Sequence, residues 1–124
     1  MLAFDDRGLE ARHDFIQWLF PLPERSRAIP WAPVMSASDL EALKASEVAR
    51  ERLARAARLM LGFYGRNAHW RRRQDHNHLR ITRIIRSLRL ILGDDAADSF
   101  RAEIETLAAD APIDPAAHRY WAQA

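Results

Sequence analysis

The strongest constraint on the fold is a stripe of apolar residues between positions 78 and 92. Its members recur at i, i+3, i+4, i+7, i+10 and i+11, a spacing that places them on one face of an α-helix. The stripe consists of Ile81, Ile84, Ile85, Leu88, Ile91 and Leu92. A helix face this apolar has to be buried against other elements. The sequence therefore predicts a core helix here, with Asn77 as its N-cap and Gly93 at its end.

Three further segments carry apolar residues at helical spacing, and no segment shows a sustained alternation of period two. These segments cover residues 9–20, residues 47–64 and a stretch that opens at Asp94 or Asp95. Gly65 is placed to end the second of them in a left-handed conformation.

Shorter helical pieces are predicted beside these main helices. One is a turn at residues 39–43, where Ser38 and Glu41 have capping-box spacing, and another follows Asp114 and Pro115. Four prolines between residues 21 and 33 predict a loop.

The pattern as a whole predicts an all-α fold. A length of 124 residues fits a single domain. With 48% hydrophobic and 29% charged residues, the composition is typical of a globular chain. We therefore expect residues 1–124 to form one compact bundle of four main helices, with short helical pieces and a proline-rich loop.

Cysteine is absent from the sequence, which excludes disulfides, thiolate catalysis and thiolate metal sites. No apolar stretch approaches the roughly 20 residues needed to cross a bilayer, and the first residues lack the basic and apolar regions of a signal peptide. The sequence therefore predicts a cytoplasmic protein without a membrane span.

Charge is distributed unevenly along the chain, although the net charge is only +2. Residues 50–89 carry twelve basic and two acidic side chains, a net charge of +10. The residues before and after this segment have net charges of −3 and −5. The middle of the chain is therefore strongly basic, and partners with carboxylates or phosphates are the natural candidates.

The face of the core helix opposite the isoleucine stripe mixes cations with apolar residues. Leu79, Arg83, Arg86 and Leu90 form one row along it, with Arg80 and Arg89 on the flanks. One interpretation is a central helix packed on both sides, whose arginine stems lie over neighbouring helices. The other is a recognition surface, where guanidinium groups bind carboxylates or phosphates while the leucines contribute apolar contact.

The candidate ligand-binding residues combine this row with the basic segment before it. They are Trp70, Arg71, Arg72, Arg73, His76, Leu79, Arg80, Arg83, Arg86 and Leu90. We expect a non-enzymatic module that binds a peptide or a protein. The alternative is a nucleic-acid-binding domain that uses residues 66–89, with arginines on phosphates and Trp70 stacked on a base.

A catalytic or metal centre is not predicted. His13 and Asp14 form a pair of the kind found in metal-dependent phosphohydrolases, but the other ligands of that pattern are missing. His76 and His78 have the spacing of a zinc-binding pair without a suitably spaced third ligand. No serine stands in a nucleophile elbow, and no glycine-rich phosphate loop is present. We therefore expect no enzyme, metal or cofactor.

Four polar residues are predicted to have structural roles: His13, Asp14, Gln17 and Asn77. Asp14 is expected to pair with Arg80 or Arg83, because apolar residues surround the charges on both helices and a carboxylate buried without a partner is costly.

Several motifs place the chain beside a known family. LEARHDFIQWLFP at residues 9–21 and HNHLRITRIIRSL at residues 76–88 enclose Ala32 with Pro33, FYG at residues 63–65, and Trp70. This order of motifs resembles the conserved domain of the opioid growth factor receptor family over residues 9–93. The resemblance implies a helical binding domain with receptor-like activity. Animal members are associated with the membrane, the nucleus and an opioid peptide.

The chain departs from that family pattern in two ways. The segment between the FYG motif and the HNHLRIT motif is shorter than the animal receptors lead one to expect. We also expect a short stand-alone member, without the long repeat-bearing tails of those receptors.

Overall fold

The computed structural model describes Phe20 and residues 36–124, and this part of the chain is helical throughout its regular structure. The helices are α1 (Ala37–Ala45), α2 (Glu47–Arg66), α3 (His76–Ile91), α4 (Asp94–Ala108) and α5 (Pro115–Gln123). No β-strand occurs among these described residues. The prediction of an all-α fold is confirmed. The predicted helix at residues 9–20 and the proline-rich loop lie outside the described residues, apart from Phe20.

α3 is the central helix, in contact with α1, α2, α4 and α5. Ile81, Ile84 and Ile85 of its apolar stripe are fully buried. On its other faces Arg80 and Ser87 are buried as well. Each large apolar side chain removed from water contributes about 1.5–3 kcal/mol to the stability of the fold. Of the two interpretations of the mixed face, the structure agrees with a central helix packed on both sides.

α1 begins with a capping box formed by Ser36 and Asp39. The Ser36 hydroxyl accepts a hydrogen bond from the Asp39 amide at 3.1 Å, and the Asp39 carboxylate accepts one from the Ser36 amide at 3.2 Å. Hydrogen bonding of the Asp39 carboxylate with the Ser36 side chain, and then with the Ser36 backbone amide, lowers the pKa of Asp39. The prediction that Ser38 and Glu41 form the box is wrong, because the helix begins earlier and the short Asp39 side chain reaches back to Ser36.

The junction between α2 and α3 also differs from the prediction. α2 continues past Gly65 to Arg66, and Asn67 ends it in an extended conformation, so Gly65 is not a left-handed stop. α3 is capped by Asp75, whose carboxylate accepts a hydrogen bond from the Asn77 amide at 2.9 Å. Asn77 therefore lies inside the helix and is not its N-cap.

Three predicted helix boundaries are confirmed. Gly93 follows α3 with a φ of 108°, which favours glycine, and its amide donates to the Leu88 carbonyl at 3.0 Å. α4 opens at Asp94 immediately afterwards. Pro115 is the first residue of α5, and the Asp114 carboxylate caps the helix by accepting the Ala116 amide at 2.9 Å.

Truncation of the central stripe provides a direct test of this core. Ile84→Ala should lower the free energy of unfolding by about 2–5 kcal/mol, since it removes buried methyl groups and leaves a cavity. Urea denaturation measures the change. Val48→Ala is the matched control because Val48 is 61% exposed on α2, and it should cost less than about 0.5 kcal/mol. An equally small loss for Ile84→Ala would contradict the packing described above.

Candidate functional site

Trp70 fixes the turn that follows α2. Its side chain is fully buried, and Nε1 donates to the Tyr64 carbonyl at 3.0 Å and to the Asn67 carbonyl at 2.8 Å. Its ring also lies edge-on to the Tyr64 ring. The prediction that Trp70 stacks on a base is therefore wrong, because no face of the indole is available to a ligand.

Asn77 links this turn to the start of α3 through a buried network. Its Oδ1 accepts a hydrogen bond from the Tyr64 hydroxyl at 3.1 Å, and its Nδ2 donates to Asp75 Oδ1 at 2.8 Å. Asn77 is fully buried, so each of these bonds replaces one to water. Asn77 therefore bridges Tyr64 and Asp75, and the prediction that it caps α3 is wrong.

Asp75 is the most constrained carboxylate of the basic segment. Its side chain is fully buried, and Arg72 Nε lies 2.9 Å from Asp75 Oδ2. Burial is the largest single influence and raises the pKa of Asp75. The backbone and side-chain hydrogen bonds from Asn77, together with the charges of His76 and Arg72, outweigh burial and leave the pKa below its ordinary value.

The arginine triplet 71–73 is tied to three different parts of the domain. Arg71 donates to the Ala109 carbonyl after α4 at 3.1 Å, and Arg72 pairs with Asp75. Arg73 lies 3.9 Å from the Asp114 carboxylate. The loop before α3 is also joined to the loop before α5, because the Asp114 amide donates to the Arg73 carbonyl at 3.0 Å.

Two arginines that the sequence placed on a recognition surface are buried. Arg83 is 8% exposed, and its Nε donates to the Phe20 carbonyl at 2.7 Å. Arg80 is 6% exposed, and its Nη1 lies 3.5 Å from Asn77 Oδ1. Both guanidinium groups therefore lie inside the domain, where a ligand on the surface does not reach them. Asp14, the predicted partner of Arg80 or Arg83, lies outside the described residues, as do His13 and Gln17.

The remaining residues of the predicted row do not share one exposed face. Leu79 is 65% exposed, whereas Arg86 and Leu90 are half-buried and Leu90 packs against the core. The prediction of a continuous recognition surface along α3 is therefore wrong. Leu79, near the start of the helix, is the apolar side chain of this row that is well exposed to solvent.

A groove of about 290 Å³ lies between α3 and α5, next to Leu79. Leu79 on α3 and Tyr120 on α5 form its apolar walls, and Arg73 and Asp114 lie among its polar lining residues. Tyr120 is 57% exposed. Leu79 and Tyr120 are two of the three exposed large apolar side chains in the described part of the chain, the third being Val48. The structure thus brings predicted residues 73 and 79 together with α5.

α5 is held in place by residues on its other faces. Trp121 is fully buried and donates from Nε1 to the His78 carbonyl at 3.1 Å. His118 Nδ1 lies 2.8 Å from Glu105 Oε2 on α4. Neighbouring residues on a helix point about 100° apart, so burial of Trp121 turns Tyr120 outwards. The sequence reasoning missed Tyr120, although the adjacent aromatic pair was a signal for one buried and one exposed ring.

A second groove, of about 180 Å³, lies between α2 and α4 above α3. Leu61, Leu92 and Phe100 contribute its apolar lining, and Arg58 and Glu103 lie at its margin. It contains none of the residues that the sequence nominated for binding.

The histidines of the basic segment are separated in the structure. His78 is buried, with Nε2 2.8 Å from the Trp70 carbonyl, while His76 lies 40% exposed beside Asp75. Among the residues that the structure describes, no group of three or more histidine, aspartate or glutamate side chains could hold a metal ion.

Part of the positive charge of residues 50–89 is neutralised by carboxylates within the domain. Arg89 binds Asp94 at 2.8 Å and Asp98 at 2.7 Å, and hydrogen bonds to Asp98 and then Asp94 raise its pKa. Arg55 pairs with Glu51 at 3.3 Å. Acidic residues after position 90 therefore supply several of the partners that the basic segment lacks in its own sequence.

The described part of the chain defines a small all-α domain with a groove between two of its helices. No helix within it is long and apolar enough to span a membrane. No solved structure matches the chain significantly.

Comparison with known proteins identifies the family. The profile of the opioid growth factor receptor (OGFr) conserved region matches residues 3–72. The chain is 43% identical to the opioid growth factor receptor of Mus musculus over 99 residues, which cover 64% of this chain and 15% of that protein. It is 37% identical to the opioid growth factor receptor of Homo sapiens over 118 residues, covering 77% of this chain and 16% of that protein.

A related group of proteins matches as well. Opioid growth factor receptor-like protein 1 of Mus musculus is 32% identical over 117 residues, covering 81% of this chain and 24% of that protein. The chain belongs to the opioid growth factor receptor family. It spans between 15% and 24% of the length of these three curated relatives.

The internal pairing of the arginines predicts weak electrostatic binding to nucleic acid. Arg72 and Arg73 are the well-exposed members of the triplet, so we expect the triplet to contribute no more than about −2 to the slope of log affinity against log salt. Titration with random-sequence single- and double-stranded oligonucleotides measures the slope, and the triple change of Arg71, Arg72 and Arg73 to alanine is the comparison. A slope near −5 that the triple change flattens would contradict this prediction.

The lowered pKa of Asp75 predicts a dependence of stability on pH. Because the pKa in the folded state lies below its ordinary value of 3.8, the ionised carboxylate stabilises the fold above that value. This contribution is lost as the pH falls through the folded-state pKa. We expect Asp75→Asn to destabilise the domain near neutral pH, with a difference from the wild type that shrinks below about pH 4.

Urea denaturation at a series of pH values measures this difference. Glu103→Gln on α4 is the control for removal of one negative charge from the domain. If the difference in free energy of unfolding between Asp75→Asn and the wild type stayed constant across the acid range, the lowered pKa of Asp75 would be contradicted.

Proposed function

We propose that this domain binds a peptide segment of a partner in the groove between α3 and α5. The observation that carries the proposal is the convergence of Leu79 and Tyr120 on one groove that also contains Arg73. Large apolar side chains exposed together on a small domain are typical of a binding site. The relatives are named as receptors, which supports a peptide or protein ligand.

The two walls suit an extended or turned peptide with an apolar side chain. Leu79 and Tyr120 belong to different helices, so one inserted side chain contacts both and loses water on two sides. Burial of one leucine-sized side chain contributes about 1.5–3 kcal/mol to binding before the cost of ordering the peptide. Tyrosine adds a large contact area at low cost in conformational entropy.

The ligand of the animal relatives is the first to test on this chain. Their name, opioid growth factor receptor, makes an opioid peptide the specific candidate under this proposal. A cytoplasmic location stays a prediction from the sequence.

Peptide binding should depend on both walls of the groove. We expect peptides selected from a random display library on the wild-type domain to bind the double variant Leu79→Ser, Tyr120→Ser at least about tenfold more weakly, since both apolar contacts are lost. Calorimetric titration measures the affinities, and a labelled opioid peptide is assayed in parallel.

Val48→Ser is the matched control, because it removes a similarly exposed apolar side chain on α2, away from the groove lining. Its affinity should equal that of the wild type. Selected peptides that bind the double variant as tightly as the wild type would refute the groove as the site.

A further inference from the structure

Charged residues that line the α3–α5 groove, or contact its lining, differ in their exposure according to sign. Arg73, Asp75 and Asp114 line the groove, and Arg72 contacts Asp75. The side chains of Arg72 and Arg73 are 67% and 76% exposed, whereas those of Asp75 and Asp114 are 0% and 26% exposed. Arg119 on α5 is exposed as well, and its charge acts on Asp114. An incoming ligand therefore meets cations before it meets carboxylates.

Both carboxylates are also engaged by the fold. Asp75 Oδ1 accepts from the backbone and side-chain nitrogens of Asn77, each within 2.9 Å. Asp114 Oδ1 accepts from the Ala116 amide. These two residues cap α3 and α5, so their negative charge is compensated by helix N-termini and not only by the arginines.

The arginines keep donors for a ligand. Arg72 contacts Asp75 through Nε, which occupies one edge of its guanidinium group. The 3.9 Å separation of Arg73 from Asp114 is longer than a hydrogen bond. Guanidinium groups this exposed can donate two hydrogen bonds to one carboxylate of a ligand. Asp75 and Asp114 can continue to cap α3 and α5 meanwhile.

We infer that the occupant of the groove is an acidic peptide with one large apolar side chain. The apolar side chain lies between Leu79 and Tyr120, and flanking aspartate or glutamate carboxylates pair with Arg72 and Arg73. This inference rests on the proposed function and adds to it the chemical class of the ligand.

An acidic peptide suits the α3–α5 groove better than a nucleic acid does. The groove has one exposed aromatic ring, that of Tyr120, beside the aliphatic Leu79, and Trp70 is buried. Single-stranded nucleic acid stacks successive bases on several aromatic rings. The exposed guanidinium groups of Arg72 and Arg73, with that of Arg119 nearby, suffice for a pair of carboxylates. A nucleic-acid groove follows the backbone with a longer row of cations.

The test begins with the peptides selected on the wild-type domain. Those that lose affinity for the variant Leu79→Ser, Tyr120→Ser are groove-dependent, and we expect them to be enriched in aspartate and glutamate relative to the unselected library. The best peptide is then synthesised in two forms, one as selected and one with each acid replaced by its amide. The amide form should bind the wild type at least about tenfold more weakly.

Arginine variants separate the charge contacts from the groove itself. In Arg72→Gln, Arg73→Gln the acidic and amide forms should bind with nearly equal affinity, while Arg72→Lys, Arg73→Lys should restore part of the preference. Arg52→Gln, Arg55→Gln, which removes two charges from the exposed side of α2, is the matched control and should keep the full preference. Circular dichroism checks that every variant is folded.

The outcomes distinguish the two proposals. Groove-dependent peptides without acidic enrichment, or an unchanged preference in Arg72→Gln, Arg73→Gln, would overturn the acidic class while the peptide-binding function stands. A library without any groove-dependent peptide would overturn both. Displacement of the acidic peptide by an equimolar single-stranded oligonucleotide would assign the two arginines to phosphate and would also overturn the inference.

Discussion

A helix buried on nearly every side must find a partner for each polar group that it carries, and this requirement shapes the domain around α3. Asn77, Arg80 and Arg83 are all buried on it. A buried polar group without a hydrogen bond costs several kcal/mol, so their partners have to arrive from other segments. Tyr64 comes from α2 and the Phe20 carbonyl from the beginning of the chain. The polar residues of α3 thus determine where its neighbours lie.

Local patterns were sufficient for the described helices but for only some of their ends. The spacing of Ile81, Ile84 and Ile85 identifies α3, because a 3.6-residue period has one structural solution. Gly93 and the Asp114–Pro115 pair are equally local signals. The N-caps of α1 and α3 were harder to predict, since two residues near the start of each helix can accept an amide hydrogen bond. Asn77 would have served as a cap in isolation, yet burial against Tyr64 leaves capping to Asp75.

The candidate site was predictable only in part, because its residues come from distant positions. The sequence nominated Arg73 and Leu79, and both line the groove. It also nominated Trp70, Arg80 and Arg83, which are buried. Composition reports how many arginines a segment contains, but exposure depends on which carbonyls and carboxylates fold against them. Those acceptors lie as far away in sequence as Phe20, 63 residues from Arg83.

The hydrogen bond between the Asp114 amide and the Arg73 carbonyl helps to dock α5 on the rest of the domain. α5 has nine residues, and a helix of that length does not hold its shape in water unless it is docked. Because Tyr120 belongs to α5, transient undocking removes one wall of the groove and also withdraws Trp121 from its place against α3. Occupancy and docking are therefore thermodynamically linked, so a ligand slows amide exchange in α5 before it stabilises the rest of the domain.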